Sequence, residues 1–266
     1  MVRGLGSFII GTVVLAVLFW TLEALWPEDR NQPKWRKDSL NDLIYWFFDS
    51  YIVRGVASIA VIIAIGLTAR TLPRLPQNII SMQPSWLQVL EILLIGDIIG
   101  YWLHRIFHIN TTLWPFHAVH HSPEKIDWLA AARVHPLETM VNHIGIVLPL
   151  YFLGFSGGVL SFYAPFLAIY PIFLHANLTW NYGPLRYLIA SPAWHRWHHS
   201  SDLQALNKNF SGLFPFVDAI FGTAYFPRYG QPQKYGLHNQ QMPTSFTKQL
   251  LYPFRPKQPN PTQQVV

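Results

Sequence analysis

The N-terminal part of the chain consists of two long apolar runs separated by a short polar loop. Leu5 to Trp26 carries one charged residue, Glu23, and Ile44 to Leu67 is interrupted only by Asp49, Ser50, Arg54 and Ser58. A helix of about 20 apolar residues crosses a bilayer, so each run predicts one membrane span. The first run is too long for a secretory signal and lacks a clear small-residue cleavage site, so we expect it to remain as a helix.

The apolar pattern continues after a loop and predicts three more helices. Trp86 to His108 is an unbroken helical pattern, and Thr139 to Leu153 and Val159 to Trp180 are apolar runs parted by glycines, which favours a helical hairpin. The first limb is short, so it is either a tilted span or a re-entrant piece buried within protein. The pattern as a whole predicts an all-α integral membrane helical bundle with about four to five spans.

Composition supports a membrane protein and limits its chemistry. Hydrophobic residues make up 51% of the chain and charged residues 12%, against roughly a quarter charged in soluble domains. Cysteine is absent, which excludes disulfides, thiolate nucleophiles, iron–sulfur clusters and cysteine–zinc sites. The formal net charge is +6, but the basic residues are scattered among loops, so we expect no nucleic-acid partner.

The distribution of basic residues predicts the orientation in the membrane. The loop between the first two apolar runs contains Arg30, Lys34, Arg36 and Lys37, as the positive-inside tendency expects of a cytoplasmic loop. Arg70 and Arg74 in the next loop oppose this assignment. If the first loop is cytoplasmic, counting the spans places the histidine clusters of the chain on the cytoplasmic face.

Eight histidines lie in three short clusters: His104 and His108; His117, His120 and His121; His195, His198 and His199. Residues three or four apart share one face of a helix, so each cluster presents its imidazoles along one stripe, and eight nitrogens suit two metal ions. A single histidine is more often a hydrogen-bonded structural residue. Repetition of the same spacing favours metal binding instead.

The ligand chemistry leaves iron and zinc as alternatives. Paired iron uses nitrogen and carboxylate ligands and activates dioxygen, although the ExxH repeat of soluble di-iron bundles is absent. A membrane zinc hydrolase is a second hypothesis, but catalytic zinc needs only three protein ligands. A protein that stores or transports metal is a third, and transport predicts polar residues at the middle of several spans.

The histidine motifs resemble those of the fatty acid hydroxylase and sterol desaturase superfamily, the histidine-box di-iron oxygenases of membranes. HxxxH, HxxHH and a distant HxxHH occur in the family order, with His135-Pro-Leu-Glu138 and His175-Ala-Asn177 between the boxes. Asp97 with Tyr101-Trp102 ahead of the first box, and Asp218 to Thr223 after the last, strengthen the resemblance. It covers about Trp86 to Pro227 and implies three regions: N-terminal membrane helices (1–85), a catalytic domain (86–227) and a polar, proline-rich, largely irregular tail (228–266).

Carried over residue by residue, the resemblance implies these iron ligands: His104, His108, His117, His120, His121, His195, His198 and His199, with His175 as a ninth. His135 either ligates or hydrogen-bonds a ligand. Supporting acceptors are expected at Asp97, Glu138 and Asn177, and also at Asp202 and Asp218, although helix capping or solvent exposure explains such residues equally well. His143 and His238 are expected to lie outside the site.

The resemblance also implies an activity. We expect an integral membrane oxidoreductase that uses two iron ions, O2 and electrons from an external donor, cytochrome b5-like or ferredoxin-like. Its substrate would be a lipid, either a sterol, a fatty acyl chain, an alkyl lipid or a carotenoid. Hydroxylation and desaturation begin with the same hydrogen abstraction, so the ligands do not separate the two reactions.

Overall fold

The computed structural model describes residues 2–68, 77–155, 157–227, 230–232 and 234–255. Within these ranges the structure is helical, with two isolated β-bridges and no strand, which confirms the all-α prediction. Arg70 and Arg74 lie outside the described residues. The α-helices are α1 (Val2–Leu25), α2 (Ser39–Phe48), α3 (Arg54–Thr68), α4 (Gln77–Ser81), α5 (Ser85–Ile109), α6 (Trp114–His117), α7 (Pro136–Phe152), α8 (Gly157–His175), α9 (Pro192–His198), α10 (Pro215–Ile220) and α11 (Phe246–Leu250).

Three helical segments of the described chain are long and apolar enough to cross a membrane. They are Leu5–Leu25, Ser39–Thr68 and Ser85–Ile109. The second combines α2 and α3 through a π-helical segment, Asp49–Val53, which the apolar pattern does not predict. Apolar side chains on the outer face of α1 are open to the surroundings, for example Ile10 at 66% exposed. Such a face suits contact with lipid, and the chain is a membrane protein.

The predicted hairpin is formed by α7 and α8. These helices have 17 and 19 residues and are not among the three candidate spans, so the count of four to five spans stays a prediction. Helix α8 ends at His175, before the predicted end of the run at Trp180. The chain leaves the helix there because the N–H of Thr179 donates to the carbonyl of Trp26, and Leu178 forms a β-bridge with Pro27.

Two apolar clusters hold the helices together. One is centred on Trp128, whose ring contacts Phe19 of α1 and Trp46 of α2. The other joins α5, α7 and α8 around Ile92 and Leu150. Helices α5 and α8 approach closely at Gly96, where an added Cβ would lie 2.3 Å from the hydroxyl of Tyr163. These contacts fix the three helices that surround the functional site.

A buried network of charged residues ties the N-terminal spans to the segment before α7. Arg36 bonds Asp127 through two nitrogens and Asp42 through Nη2 at 2.8 Å, and Arg133 bonds Asp42 at 2.5 Å. On α1, the carboxylate of Glu23 accepts from the backbone N–H groups of Trp128 and Asn177. Removing one partner from such a network is costly because an uncompensated buried charge remains. The network therefore fixes the register between the spans and the histidine-bearing segments.

The described part of the C-terminal region is mostly irregular, but its short helix α11 packs on α2. The amide of Asn41 donates to Gln249 at 2.9 Å, and the rings of Tyr45 and Phe246 are 4.8 Å apart. Residues 228, 229, 233 and 256–266 of the predicted tail lie outside the described residues. Part of this region thus covers the N-terminal helices.

Candidate metal centre

Nine histidines converge in two adjoining groups. In each group, one possible ligand atom from every residue lies within 4.8 Å of the others. The first group contains His104, His108, His117, His121 and His198, and the second contains His120, His175, His195 and His199. Helix α5, the segment around α6, the end of α8 and helix α9 supply them. All eight clustered histidines and the predicted ninth therefore meet at one end of the bundle.

The two HxxHH clusters are divided between the groups, which corrects the expectation of one stripe per cluster. His117 and His121 belong to the first group and His120 to the second, whereas His198 belongs to the first and His195 and His199 to the second. In both clusters the first and last histidines, four residues apart, share a group, and the middle histidine, three residues after the first, joins the other group.

The Nε2 atoms within each group face one another at short distances. In the first group, Nε2 of His117 lies 3.0 Å from that of His104 and 3.1 Å from that of His121. In the second group, Nε2 of His175 lies 3.2 Å from those of His120 and His195. The groups also touch, since the rings of His121 and His199 stack with centroids 4.4 Å apart.

Hydrogen bonds at Nδ1 orient five of the rings. Backbone carbonyls of Phe210, Arg133, Pro171 and Lys208 are the partners of His104, His120, His175 and His198, at 2.7 to 3.2 Å. The carboxylate of Glu138 is the partner of His117, at 2.7 Å. An acceptor at Nδ1 requires the proton on that nitrogen, which leaves Nε2 as a lone-pair donor. The ring orientation is thus that of a metal ligand with its outer partner.

These tautomers fit a bound cation. His104 and His117 both donate from Nδ1, so their Nε2 atoms present lone pairs to each other across 3.0 Å. The same holds for His120 and His175 across 3.2 Å. Two lone pairs at this separation repel unless a cation lies between them, because neither nitrogen carries a proton to share. The donor set is nitrogen only, which suits iron, zinc or copper.

Burial keeps the imidazoles neutral. The pKa of His117, His121 and His198 in the first group lies well below 6.5, because burial disfavours the charged form and neighbouring histidines add to the effect. The pKa of His195 and His199 in the second group is lowered for the same reason. Neutral imidazole is the form that binds metal.

The predicted supporting residues occupy different places. Glu138 contacts His117 directly. Asp97 contacts backbone instead, accepting from the N–H groups of residues 212–214 at 2.8 to 2.9 Å. Asp218 accepts from the N–H groups of Phe210 and Ser211. Because the carbonyl of Phe210 is the partner of His104, both aspartates reach the first group through this loop.

Asn177 and Asp202 have described hydrogen bonds to other parts of the chain. The side chain of Asn177 bonds the backbone of Asp29 in the loop after α1, through its oxygen at 2.9 Å and its nitrogen at 3.1 Å. The N–H of Asp202 donates to Ser200, and the residue precedes a short 3-10 helix. The side chain of Asn177 therefore fixes the segment after α8 relative to α1.

Three further histidines are outside both groups. His135 caps α7 by accepting from the N–H of Leu137 at 3.2 Å, and its Nε2 lies 3.1 Å from the carbonyl of Leu250. His143 lies 3.4 Å from Ser58, and His238 pairs with Asn239. The structure therefore gives His135 a capping position and brings it to neither group.

A cavity of about 320 Å³ leads from the histidines into the bundle between α5, α7 and α8. Histidines of both groups line it together with apolar side chains such as Leu93, Ile146 and Phe166, and Arg54, Asn142 and His143 add polar groups. A second cavity, of about 290 Å³, lies beside it between α1, the π-helical segment and α8. The space next to the converging nitrogens is thus lined mainly by apolar side chains, with a few polar ones.

Sequence reasoning missed the acceptors that orient most of the rings. Four of the five are backbone carbonyls, which carry no signal in the side-chain pattern. It also missed the charged network of Arg36, Asp42, Asp127 and Arg133. Of the oriented rings, only His117 has a side-chain partner that the motif reveals.

The fold and the site define a helical membrane protein with two adjoining histidine groups of metal-binding type. The family model for fatty acid hydroxylase matches residues 89–223, which is half of the 266-residue chain. The chain therefore belongs to the fatty acid hydroxylase family, and the predicted superfamily is confirmed.

Relatives differ in how much of the chain they match. Ornithine lipid hydroxylase OlsE of Rhizobium tropici is 27% identical over 251 residues, 93% of this chain and 75% of that protein. Alkylglycerol monooxygenase of Homo sapiens is 31% identical over 137 residues, 52% of this chain and 30% of the relative. A putative methylsterol monooxygenase of Dictyostelium discoideum is 25% identical over 181 residues, 67% of this chain and 64% of the relative. The chain thus spans less than a third of the alkylglycerol enzyme, and no solved structure matches it.

Proposed function

We propose that this protein is an integral membrane oxidoreductase that uses two iron ions, O2 and externally supplied electrons to hydroxylate or desaturate a lipid. The observation that carries the proposal is the position of nine histidines in two groups at the end of an apolar cavity. The names of the relatives support the reaction class, since they are hydroxylases and monooxygenases of ornithine lipid, alkylglycerol and methylsterol.

The two histidine groups would each hold one iron ion. Bound iron supplies the activation of dioxygen, which side chains alone do not perform. The chain contributes the neutral imidazoles, and the partners of Nδ1, including Glu138, hold them in the orientation that ligation needs. The predicted ligands other than His135 are all in these groups, and His135 serves the site by capping α7.

The cavity positions the substrate and excludes water. Its apolar wall receives a hydrocarbon, and a carbon of that hydrocarbon next to the histidines is the one oxidised. Asp97 and Asp218 maintain the site by holding the loop whose Phe210 carbonyl orients His104. An apolar wall around the bound hydrocarbon would also limit side reactions of the activated oxygen with water.

The side of the membrane follows from the number of crossings. The hairpin of α7 and α8 leaves and returns to the face that carries the histidines, because Arg133 before α7 and His175 at the end of α8 both contact His120. With the basic loop between α1 and α2 on the cytoplasmic side, that face is cytoplasmic. Electrons would then come from a cytoplasmic donor, either cytochrome b5-like or ferredoxin-like.

Metal analysis of the detergent-purified protein combined with an oxygen-isotope experiment tests the function. We expect two irons per chain and, for a hydroxylation, one atom from ¹⁸O₂ in the lipid product. One tightly held zinc with turnover that does not need oxygen would refute the proposal and favour a hydrolase. His198→Ala should abolish turnover and lower the iron content, whereas the control His238→Ala, outside both groups, should leave both unchanged.

A further inference from the structure

We propose that Asp49 and Arg54 bind the head group of a zwitterionic lipid at the wall of the cavity, one that carries an anionic oxygen and a protonated amine. The two residues begin and follow the π-helical segment Asp49–Val53 inside the second candidate span. The inference rests on the proposed function and specifies the substrate class. π-helical segments inside α-helices often occur at functional sites.

The protein does not provide hydrogen-bond partners for all the polar atoms of the Asp49–Arg54 pair. Nε of Arg54 bonds Oδ2 of Asp49 at 2.9 Å, which leaves the two Nη groups of the guanidinium for a ligand. Asp49 is buried, with 7% of its surface exposed, and its Oδ1 has no hydrogen-bond partner among the described residues. A charged pair within a span is expensive and is generally kept for function. The unpartnered carboxylate oxygen calls for a donor that the protein does not provide.

Both residues face space that a lipid can enter. Asp49 and Arg54 line the cavity beside α1, and Arg54 also lines the cavity that ends at the histidines. Asn142 and His143 of α7 add polar groups to the cavity that ends at the histidines. The head group would therefore lie where the two cavities meet, with apolar wall on both sides for the hydrocarbon chains.

The chemistry of the pair selects the ligand. A guanidinium binds carboxylate or phosphate oxygens, often through two parallel hydrogen bonds, and a free carboxylate oxygen accepts from an ammonium group. A purely anionic ligand would leave Oδ1 of Asp49 unpaired, and an uncharged lipid would offer hydroxyl groups in place of the stronger charge-assisted hydrogen bonds that an anionic oxygen and an ammonium form. Amino-acid lipids and phosphatidylethanolamine share the required combination.

The position of the pair also limits which carbon reacts. On α7, Glu138 touches the proposed ligand His117, and His143 follows five residues later, about 7.5 Å along the helix at about 1.5 Å per residue. A head group held by Arg54 beside His143 thus lies close to the first histidine group. The oxidised carbon belongs to the head group or to the part of the chain next to it, and not to the methyl end.

Lipid binding to the purified protein, followed by native mass spectrometry with and without iron, tests the site independently of turnover. The probes are Nα-oleoyl-lysine, phosphatidylethanolamine and uncharged monoolein, and the variants are Arg54→Gln, Arg54→Lys and Asp49→Asn. We expect Arg54→Gln and Asp49→Asn to weaken retention of the zwitterionic probes at least tenfold without affecting monoolein. Arg54→Lys should restore part of the retention, and the loop control Arg30→Gln should match the unmodified protein. Of the two zwitterionic probes, the one that is retained better shows whether the anionic group bound by Arg54 is a carboxylate, as in Nα-oleoyl-lysine, or a phosphate, as in phosphatidylethanolamine.

Turnover gives a second readout that separates the two proposals. For the preferred probe, Arg54→Gln should raise KM at least tenfold with little change in iron content or in kcat, and fragmentation of the product should place the new oxygen near the head group. Equal retention of all three lipids by all variants, or oxidation near the methyl end, would overturn the head-group site while leaving the oxygenase intact. An unmodified protein that holds iron and retains the zwitterionic probes but oxidises no lipid would instead refute the proposed function.

Discussion

Glu138 offers the sharpest test of the metal centre because it supports only one of the two histidine groups. Its Oε1 lies 2.7 Å from Nδ1 of His117, and the side chain is buried with 4% of its surface exposed. In Glu138→Ala, His117 loses the acceptor that fixes its tautomer. Loss of such a partner weakens metal binding roughly 10- to 100-fold, or about 1.4 to 2.7 kcal/mol. Glu138→Gln keeps an amide oxygen at the same place and should lose less.

The assay follows metal retention during dialysis against a chelator. We expect Glu138→Ala to keep about one of two irons, the one in the four-histidine group. Adding His198→Ala to this variant should cause little further loss, whereas adding His199→Ala should remove the remaining iron, because the two histidines belong to different groups. Leu137→Ala, a change at an exposed neighbour, is the matched control. Retention of both irons by Glu138→Ala, or equal loss from both groups, would refute the reasoning.

Three further predictions follow from the same geometry. His135→Ala should leave the metal content of both groups unchanged while lowering the unfolding temperature through a lost helix cap, worth about 0.5–2 kcal/mol; a missing iron by metal analysis would return His135 to the ligand set. Asp97→Ala leaves three backbone N–H groups without their acceptor, at a cost of about 1–3 kcal/mol each. Thermal unfolding in detergent should therefore show a free energy of unfolding lower by several kcal/mol, and Asp97→Asn should lower it less. The metal-free protein should become less stable as the pH falls below 6.5. The pKa of the buried histidines is lowered in the folded protein, so in this pH range the unfolded chain binds protons that the folded chain does not bind. An unfolding temperature that stays constant between pH 7.5 and 5.5 would contradict this prediction.

The long helices could be predicted because a membrane imposes a simple requirement on length and polarity. The expected helix from Trp86 to His108 is observed as Ser85–Ile109. The π-helical segment Asp49–Val53 could not be predicted, since it changes the backbone without changing the apolar character of the run. The end of α8 at His175 was also missed, because the residues after it remain apolar while their backbone pairs with residues after α1.

Nine of the histidines predicted to converge do so, His135 does not, and their arrangement was less predictable than their convergence. The clustered histidines could be recognised from the sequence as a possible metal site, because no packing requirement brings imidazoles together in this way. Their division into two groups depends on which tertiary partners each ring meets, and the spacing of His117, His120 and His121 is compatible with either arrangement. Asp97 shows the other limit: its position one helical face below His104 suggested direct support, but its carboxylate meets backbone N–H groups of a loop more than 100 residues away, 115 for Gly212.

The order of the clustered histidines along the chain determines when each histidine group can form during synthesis. His121 and His198 of the first group are 77 residues apart, and the whole α7–α8 hairpin lies between them. The last ligands therefore emerge during synthesis only after the hairpin, so neither group is complete until the hairpin is inserted and folded back. A metal that bridges these segments then closes a long loop, which costs little additional entropy per residue. If the proposed function holds, metal would bind only after the hairpin has formed, and a chain that fails to form it would hold neither ion.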